Sequence, residues 1–291
     1  MNKIILSVLI LLLMVIASCT KNSDSILSDE EESMISNDAA VESVYESMNY
    51  ETDYMTGSSE NIAQLGGSNK VFGFWGRYLF EIGPEITIEP EGNEFPKTIT
   101  IDYGEGIELV NGRILSGIIQ IVVSAPPRTI GATRDITFDE FYIDSVNIDG
   151  NILKTCTDST EIYSEFSAVS DLIFTFVDDT NISRHAERTT VVEGFVTPYD
   201  YSDDVLTISG FADSESSEGI TFSRVITESL IKPATCRFIT QGKVNFYKND
   251  ELMAELDYGI GECDDIATIT KDGETRQITL GKRRRIFRDN N

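Results

Sequence analysis

Residues 236–263 read CRFITQGKVNFYKNDELMAELDYGIGEC, and this stretch has the pattern of a β-hairpin. Apolar and polar residues alternate on both sides of Asn249-Asp250, as they do in strands that bury one face. A cysteine stands at each end of the stretch. The residues on the more apolar faces are Phe238, Thr240, Val244, Phe246, Leu252, Ala254, Leu256 and Tyr258.

These apolar faces lie on the same side only if the numbers of directly paired residues sum to an even value. That condition predicts an odd-length turn around Asn249-Asp250, and it leaves Cys236 one place away from Cys263 in the ladder. A one-residue bulge in the segment Gly259–Gly261, where glycine allows positive φ, would bring the two sulfurs together. We therefore predict a disulfide between Cys236 and Cys263, which leaves Cys156 as a buried free thiol.

Strand-like runs continue through residues 71–281, separated by turn dipeptides such as Asn111-Gly112, Asp149-Gly150 and Asp272-Gly273. No sustained helical periodicity interrupts them. We expect an all-β fold with an antiparallel β-sandwich-like body, built either as one large sandwich or as two small halves, 71–155 and 156–281.

A motif of the hairpin recurs earlier in the chain. Asp102–Gly106 repeats the Asp-Tyr-Gly-x-Gly pattern of Asp257–Gly261, as a duplicated unit would. The same pattern also arises when a β-fold reuses a hairpin without any gene duplication, so both explanations stay open.

The N-terminus has the pattern of an export signal. Lys3 precedes an apolar run from Ile4 to Ile16, which is too short to span a bilayer and ends in Ile16-Ala17-Ser18-Cys19. This ending resembles the lipobox of bacterial lipoproteins. The resemblance implies that residues 1–18 are a lipoprotein signal peptide and that Cys19 carries the acyl chains, palmitate among them, that anchor the protein in a bilayer.

Residues 19–70 are strongly acidic, with eleven carboxylates against two lysines. A segment of that charge cannot bury enough apolar surface to offset its ordering entropy, so we expect a disordered acidic tether. Helical spacing of apolar residues in Ser36–Met48, behind an Asn37 or Ser36 cap, allows a short helix there. At the other end of the chain, residues 282–291 form a basic tail.

The sequence gives little support for chemistry. The chain has 23 basic and 49 acidic residues, and a formal charge of −26 excludes nucleic acid as a natural partner. His185 is the only histidine, expected on a surface loop, and no nucleophile pattern accompanies it. No zinc spacing is present, and the calcium-like run Ser145–Asp149 lacks the strongest ligands. We therefore predict no catalytic residue, no metal and no cofactor.

Several motifs of the body resemble those of uncharacterised lipoproteins of Bacteroidota-type bacteria. They are Thr100–Gly104, Asn111-Gly112-Arg113 with Ser116-Gly117, Ile136-Thr137-Phe138 and Cys236–Leu280. The resemblance covers most of residues 95–280. In that pattern a cysteine is expected where Ile107 stands, and its absence leaves Cys156 without an obvious partner. The family carries no catalytic residues to transfer.

Together these features predict a membrane-anchored exported lipoprotein of the cell envelope, with an outer-membrane location. Its role is expected to be binding or envelope assembly, with a glycan or an envelope protein as the partner besides the bilayer. The aromatic run Phe72–Phe80 could stack on sugars, although its alternation favours a core strand. The alternative is a β-sandwich enzyme that acts on envelope or extracellular polysaccharide.

Lipidation at Cys19 is directly testable. Mass spectrometry of the protein purified from membranes should find an acylated N-terminal cysteine, because the run before Cys19 directs cleavage there. Cys19→Ala should release the protein from the membrane fraction. A Cys19→Ala protein that stays membrane-bound would contradict the prediction.

Overall fold

The computed structural model describes residues 26–64, 83–109, 112–194, 203–236 and 238–280. Within these ranges the chain forms one long helix, α1 (Asp29–Gln64), followed by fourteen strands. The strands are β1 (Glu85–Glu89), β2 (Lys97–Asp102), β3 (Ile107–Glu108), β4 (Ile114–Val123), β5 (Thr133–Ile143), β6 (Val146–Ser159), β7 (Tyr163–Thr175), β8 (Asn181–Glu193), β9 (Val205–Ser216), β10 (Thr221–Pro233), β11 (Gln241–Lys248), β12 (Glu251–Ile260), β13 (Ile266–Lys271) and β14 (Glu274–Thr279).

The strands form a single antiparallel sheet in which nearly every strand pairs with its neighbours in sequence. β3 is a short extra strand paired with β4, and β2 therefore also pairs with β4. The predicted all-β antiparallel body is confirmed. Its described strands belong to one continuous sheet, and β6 runs through the boundary at residues 155 and 156. The second layer over this sheet is supplied by α1.

The hairpin has the predicted pairing in its centre, where Val244 faces Leu256 and Phe246 faces Ala254. The expected odd-length turn is wrong. Asn249 and Asp250 form a two-residue turn with φ of 53° and 64°, the positive values that a tight hairpin turn requires. A one-residue irregularity next to the turn, at Met253, restores the even pairing.

A second irregularity lies at the other end of the hairpin, between the pairs Lys243–Asp257 and Gln241–Ile260. Gly259 there has a φ of 97°, so the predicted glycine-assisted bulge is present. Cys236 and Cys263 are joined by a disulfide with their Cα atoms 5.8 Å apart. Cys156 is a buried free cysteine.

The two Asp-Tyr-Gly-x-Gly segments share a local structure. Asp102 accepts a hydrogen bond from the amide of Gly104, at 2.7 Å, through its side chain. Asp257 accepts one from Gly259 at 2.8 Å. The tyrosine in each segment is buried. Such a side-chain turn is a local property of the sequence, and it arises with or without duplication.

One of the predicted turns needs correction. Asp149-Gly150 is not a turn, because both residues are paired with β7 inside β6. The turn between β5 and β6 lies instead at Asp144, where φ is 57°. By contrast, Asp272-Gly273 does join β13 to β14, with φ of 53° and 82°.

The largest correction concerns the acidic segment. The predicted disordered tether over residues 19–70 is wrong for Asp29–Gln64, which form α1, and the short helix expected in Ser36–Met48 lies inside it. α1 begins with a capping box. The amide of Glu31 donates to the Ser28 hydroxyl, and the Glu31 carboxylate accepts from the Ser28 amide at 2.8 Å.

α1 packs against both halves of the sheet. Leu27, Met34 and Ile35 join a core cluster with residues of β9–β14. Further along, Val41, Tyr45 and Met48 join a second cluster with residues of β2–β8. Buried positions occupy roughly 220° of the helix circumference, about twice the stripe that a surface helix buries. The sheet therefore curves around α1, and the helix is part of the core.

Several predicted features lie outside the described residues. These are the signal peptide 1–18, Cys19, the aromatic run Phe72–Phe80 and the basic tail 282–291. Among the residues that the structure describes, no helix is both long and apolar enough to cross a bilayer.

The role of α1 in the core can be measured. Met48 is fully buried, so Met48→Ala should lower the free energy of unfolding of the whole body by about 2–5 kcal/mol. Urea unfolding followed by circular dichroism, on the chain from Thr20 onward, gives this value. Ser36→Ala, on the half-buried side of the same helix, should change it by less than about 1 kcal/mol. Equal stabilities of the two variants would show that α1 is not part of the core.

Candidate ligand-binding site

A row of carboxylates on α1 faces three arginines of the sheet. Asp38, Glu42 and Glu46 are four residues apart, so they lie on one side of the helix. All three are buried. Opposite them are the guanidinium groups of Arg184, Arg188 and Arg224, which are also buried. We call these six residues the ionic cluster.

The sheet positions the arginines by strand alternation. Arg184 and Arg188 lie on β8 with Ala186 between them, and all three point to the helix side. Across the sheet Ala186 pairs with Ala212 of β9, which in turn pairs with Arg224 of β10. The two buried alanines leave space between the long side chains, and the guanidinium groups fill that space next to α1.

Glu42 is the centre of the ionic cluster. Its Oε2 atom lies 2.5 Å from Arg188 Nη2, 3.0 Å from Arg184 Nη2 and 2.5 Å from Arg224 Nη1. Arg184 also donates to Asp38 at 2.9 Å, and Arg188 to Glu46 at 2.8 Å. Glu42 Oε1, by contrast, is buried and accepts no hydrogen bond from the residues that the structure describes.

Within the ionic cluster, the pKa values of Glu42 and Glu46 are shifted in opposite directions. Burial favours the neutral form of Glu42, but the charges of Arg188, Arg224 and Arg184 outweigh it and hold the pKa of Glu42 well below its usual 4.5. Burial dominates at Glu46, and together with the charge of Glu42 it raises the pKa of Glu46. Glu42 therefore stabilises the fold above pH 4.5 and loses that effect as the pH falls, whereas Glu46 acts in the opposite direction.

Two further ionic contacts fix the ends of α1. Near its C-terminal end, Asp53 binds Arg134 and Lys154 at 2.6 Å each, and both cations lie over the ring of Phe166. The paired cations keep the pKa of Asp53 low in spite of its burial. At the N-terminal end, Glu31 binds Lys271 at 2.6 Å. The helix is thus held by charge pairs along its length.

A cavity of about 290 Å³ lies beside the ionic cluster. One wall is the side of α1 that carries Ser43, Ser47 and Tyr50. The other walls come from distant parts of the sheet, Leu109 and Arg113 at the β3–β4 end and the segment from Lys232 to Ile239 after β10. The cavity exists because the curved sheet approaches α1 from both sides.

Lys232 is the charged residue of the cavity that lacks an ionic partner. Its side chain is 91% buried, and Nζ lies 5.8 Å from the centre of the Tyr50 ring. No carboxylate of the described residues lies within ion-pair distance of it. Arg113, on the opposite wall, donates to the Ser43 hydroxyl at 2.6 Å and pairs with Asp144 at 3.3 Å.

The disulfide shapes one wall of this cavity. Cys236, Phe238 and Ile239 line it, and the bond to Cys263 ties their loop to the end of β12. Tyr258, on β12, lines the same cavity, and burial raises the pKa of its hydroxyl. The predicted disulfide therefore belongs to the candidate site.

A second, wider groove lies across the ends of β6–β10 and is rich in carboxylates. His185 sits there on β8, not in the expected loop, and its Nδ1 is 2.7 Å from Asp171. The hydrogen bond to Asp171 raises the pKa of His185. Among the described residues no group of three or more histidine, cysteine or acidic side chains is arranged to hold a metal ion.

Comparison with known proteins gives no guide to the function. No protein-family model matches the chain, and neither does any curated protein or solved structure.

Sequence reasoning found the disulfide wall of the site and missed its charged residues. Two patterns would have found most of them. Asp38, Glu42 and Glu46 have helical spacing, and Arg184 and Arg188 take positions on the apolar face of a strand that also carries Ile182. Basic residues on a buried face require buried acids as partners.

Glu42 can be tested for its central role. Glu42→Gln should lower the free energy of unfolding by about 3–5 kcal/mol at pH 7, because three buried guanidinium groups lose their shared counter-charge. The deficit should shrink as the pH falls below about 4.5, where wild-type Glu42 loses its own advantage. Urea unfolding at several pH values measures both effects.

The control for Glu42 is Glu30→Gln. Glu30 is solvent-exposed and pairs with Lys248 at the surface, so its loss should cost less than about 1 kcal/mol. A Glu42→Gln protein as stable as the Glu30→Gln protein would refute the central role of Glu42.

Proposed function

We propose that the chain is an exported, lipid-anchored binding protein whose body holds a small molecule in the cavity beside α1. The observation that carries this proposal is the cavity itself. It is lined by a helix and by two distant parts of the sheet, and it combines apolar walls with hydroxyl and charged groups. Ligand pockets have this composition, and about 290 Å³ is near the lower end of their usual size of roughly 300–1,000 Å³.

The residues around the cavity support binding better than catalysis. Its lining includes apolar side chains such as Leu109, Phe238 and Ile239, with hydroxyl groups from Ser47 and Thr235. The carboxylates that reach it, Glu42 and Glu46, are held by arginines. The arginines hold Glu42 in its charged form, which makes it a poor general acid, and Glu46 is already engaged by Arg188.

The anchor at Cys19 remains a proposal from the sequence, and the structure adds a geometric consequence. Leu27 is already part of the core. Eight residues separate it from Cys19, and a chain of that length reaches at most roughly 29 Å. An anchored body would then stay close to the bilayer, with the β13–β14 turn on the near side because Lys271 pairs with Glu31. We propose the outer membrane of the cell envelope as the location.

Binding can be tested with a neutral apolar probe. N-phenyl-1-naphthylamine becomes fluorescent in apolar sites, and the chain from Thr20 onward retains every described residue. We expect saturable binding of this probe. Ala39→Phe should weaken it by about tenfold or more, because Ala39 lines the cavity and the larger ring would fill it.

The matched control is Ala40→Phe, which adds the same ring at the next position of α1, away from the cavity lining. It should leave the affinity within about twofold of wild type. Failure of the probe to bind, or equal effects of the two substitutions, would refute the proposed binding site.

A further inference from the structure

We propose that the ligand of this cavity carries a negatively charged group, such as a carboxylate, on an apolar body, and that Lys232 is its counter-ion. This inference rests on the proposed function and specifies the chemical class of the ligand. It follows from an imbalance of buried charge at one wall of the cavity.

The imbalance appears when the ionic cluster and Lys232 are considered together. Asp38, Glu42 and Glu46 each lie within ion-pair distance of at least one of Arg184, Arg188 and Arg224. Lys232 lies beside this cluster, and no carboxylate of the described residues is within ion-pair distance of its amine. The imbalance is therefore one of pairing, with Lys232 as the cation that has no ion pair among the described residues.

Leaving an ammonium group in this environment is costly. Lys232 is 91% buried, and among the described residues its one direct contact at the amine is the face of the Tyr50 ring, with Glu46 acting on it only from beyond ion-pair distance. A cation–π contact returns less free energy than the loss of hydration costs, so a buried ammonium group normally has an anion beside it. The amine of Lys232 lines the cavity, and an anion from outside the chain can reach it there.

The neighbouring carboxylates do not act as the counter-ion of Lys232. Glu46 interacts electrostatically with Lys232, but its Oε1 already accepts a hydrogen bond from Arg188 at 2.8 Å. Glu42 is held between three guanidinium groups. A ligand anion at Lys232 would form an ion pair with its amine without breaking any pair of the cluster.

The remaining walls define the rest of the ligand. Leu109, Phe238, Ile239 and Leu280 surround the cavity with apolar surface. The volume of about 290 Å³ matches one compact apolar body and is too small to enclose two long acyl chains. The inferred ligand is therefore a compact amphipathic anion.

The test compares two probes that share one ring system. 8-Anilinonaphthalene-1-sulfonate is N-phenyl-1-naphthylamine with an added sulfonate, so their difference in affinity reports on the anionic group while the ring system stays the same. We expect the anionic probe to bind wild type about tenfold or more tightly than the neutral one, as charge-assisted contacts are worth that much. A wild-type chain with no preference for the anion would overturn the inference without any variant being made.

Two variants locate the preference. Lys232→Met should abolish it by weakening only the anionic probe, whereas Lys232→Arg should keep it. Lys243→Met removes a lysine that pairs with Glu228 on the surface, so it changes the net charge equally and should leave both affinities intact.

The outcomes separate the two proposals. If neither probe binds, or if Ala39→Phe blocks neither, the proposed binding site fails. If the neutral probe binds in the cavity and Lys232→Met leaves the preference for the anion unchanged, only the role of Lys232 is overturned.

Octanoate should displace the anionic probe, and octanol at the same concentration should displace it much less. Equal displacement by the two would also contradict an anionic ligand.

Discussion

The structure depends on the pairing between the acids of α1 and the bases of the sheet. In a chain with a formal charge of −26, cations are scarce, and many of those in the described strands point towards this helix. Arg184, Arg188 and Arg224 surround Glu42 in the middle, with Asp53 and Glu31 paired nearer the ends. Buried pairs of this kind add less to stability than their number suggests, because each charge loses its hydration. They do fix which part of the helix faces which strand.

This constraint also explains the position of the cavity. One side of α1 is taken up by the ionic cluster and the apolar core, and the sheet has to follow the helix closely there. On the opposite side, at Ser43, Ser47 and Tyr50, short or half-buried side chains face the two separate flanks of the sheet. Among the described strands no pairing joins the two flanks, and the cavity lies between them. Lys232 lies between the ionic cluster on one side of α1 and the cavity on the other.

Much of the β-structure could be predicted from local sequence. The central register of the β11–β12 hairpin, the glycine-assisted bulge and the disulfide all followed from alternation and from residues that favour positive φ. The two-residue turn was missed because the irregularity at Met253 has no signature that distinguishes it from a regular strand position. The Ser28–Glu31 capping box, however, was present in the sequence as a marker for the start of α1.

The helix itself was harder to predict for a physical reason. Taken alone, the acidic segment has the composition of a disordered chain, because its charges repel one another and its apolar content is low. Their partners lie far along the chain, with 146 residues between Glu42 and Arg188 and 240 between Glu31 and Lys271. Because α1 is buried on most sides, it also lacks the narrow apolar stripe by which an amphipathic helix is recognised.

The separation between α1 and its partners has a consequence for the order of assembly. The strands pair with neighbours in sequence and can form as they appear, but the helix leaves the ribosome first and Lys271 comes near the end. The carboxylates of α1 therefore gain their partners in stages, Asp53 from β5 and β6, Glu42 from β8 and β10, and Glu31 only from β13. Completion of the body is therefore a late event, because the last contacts of α1 depend on strands at the C-terminal end of the chain.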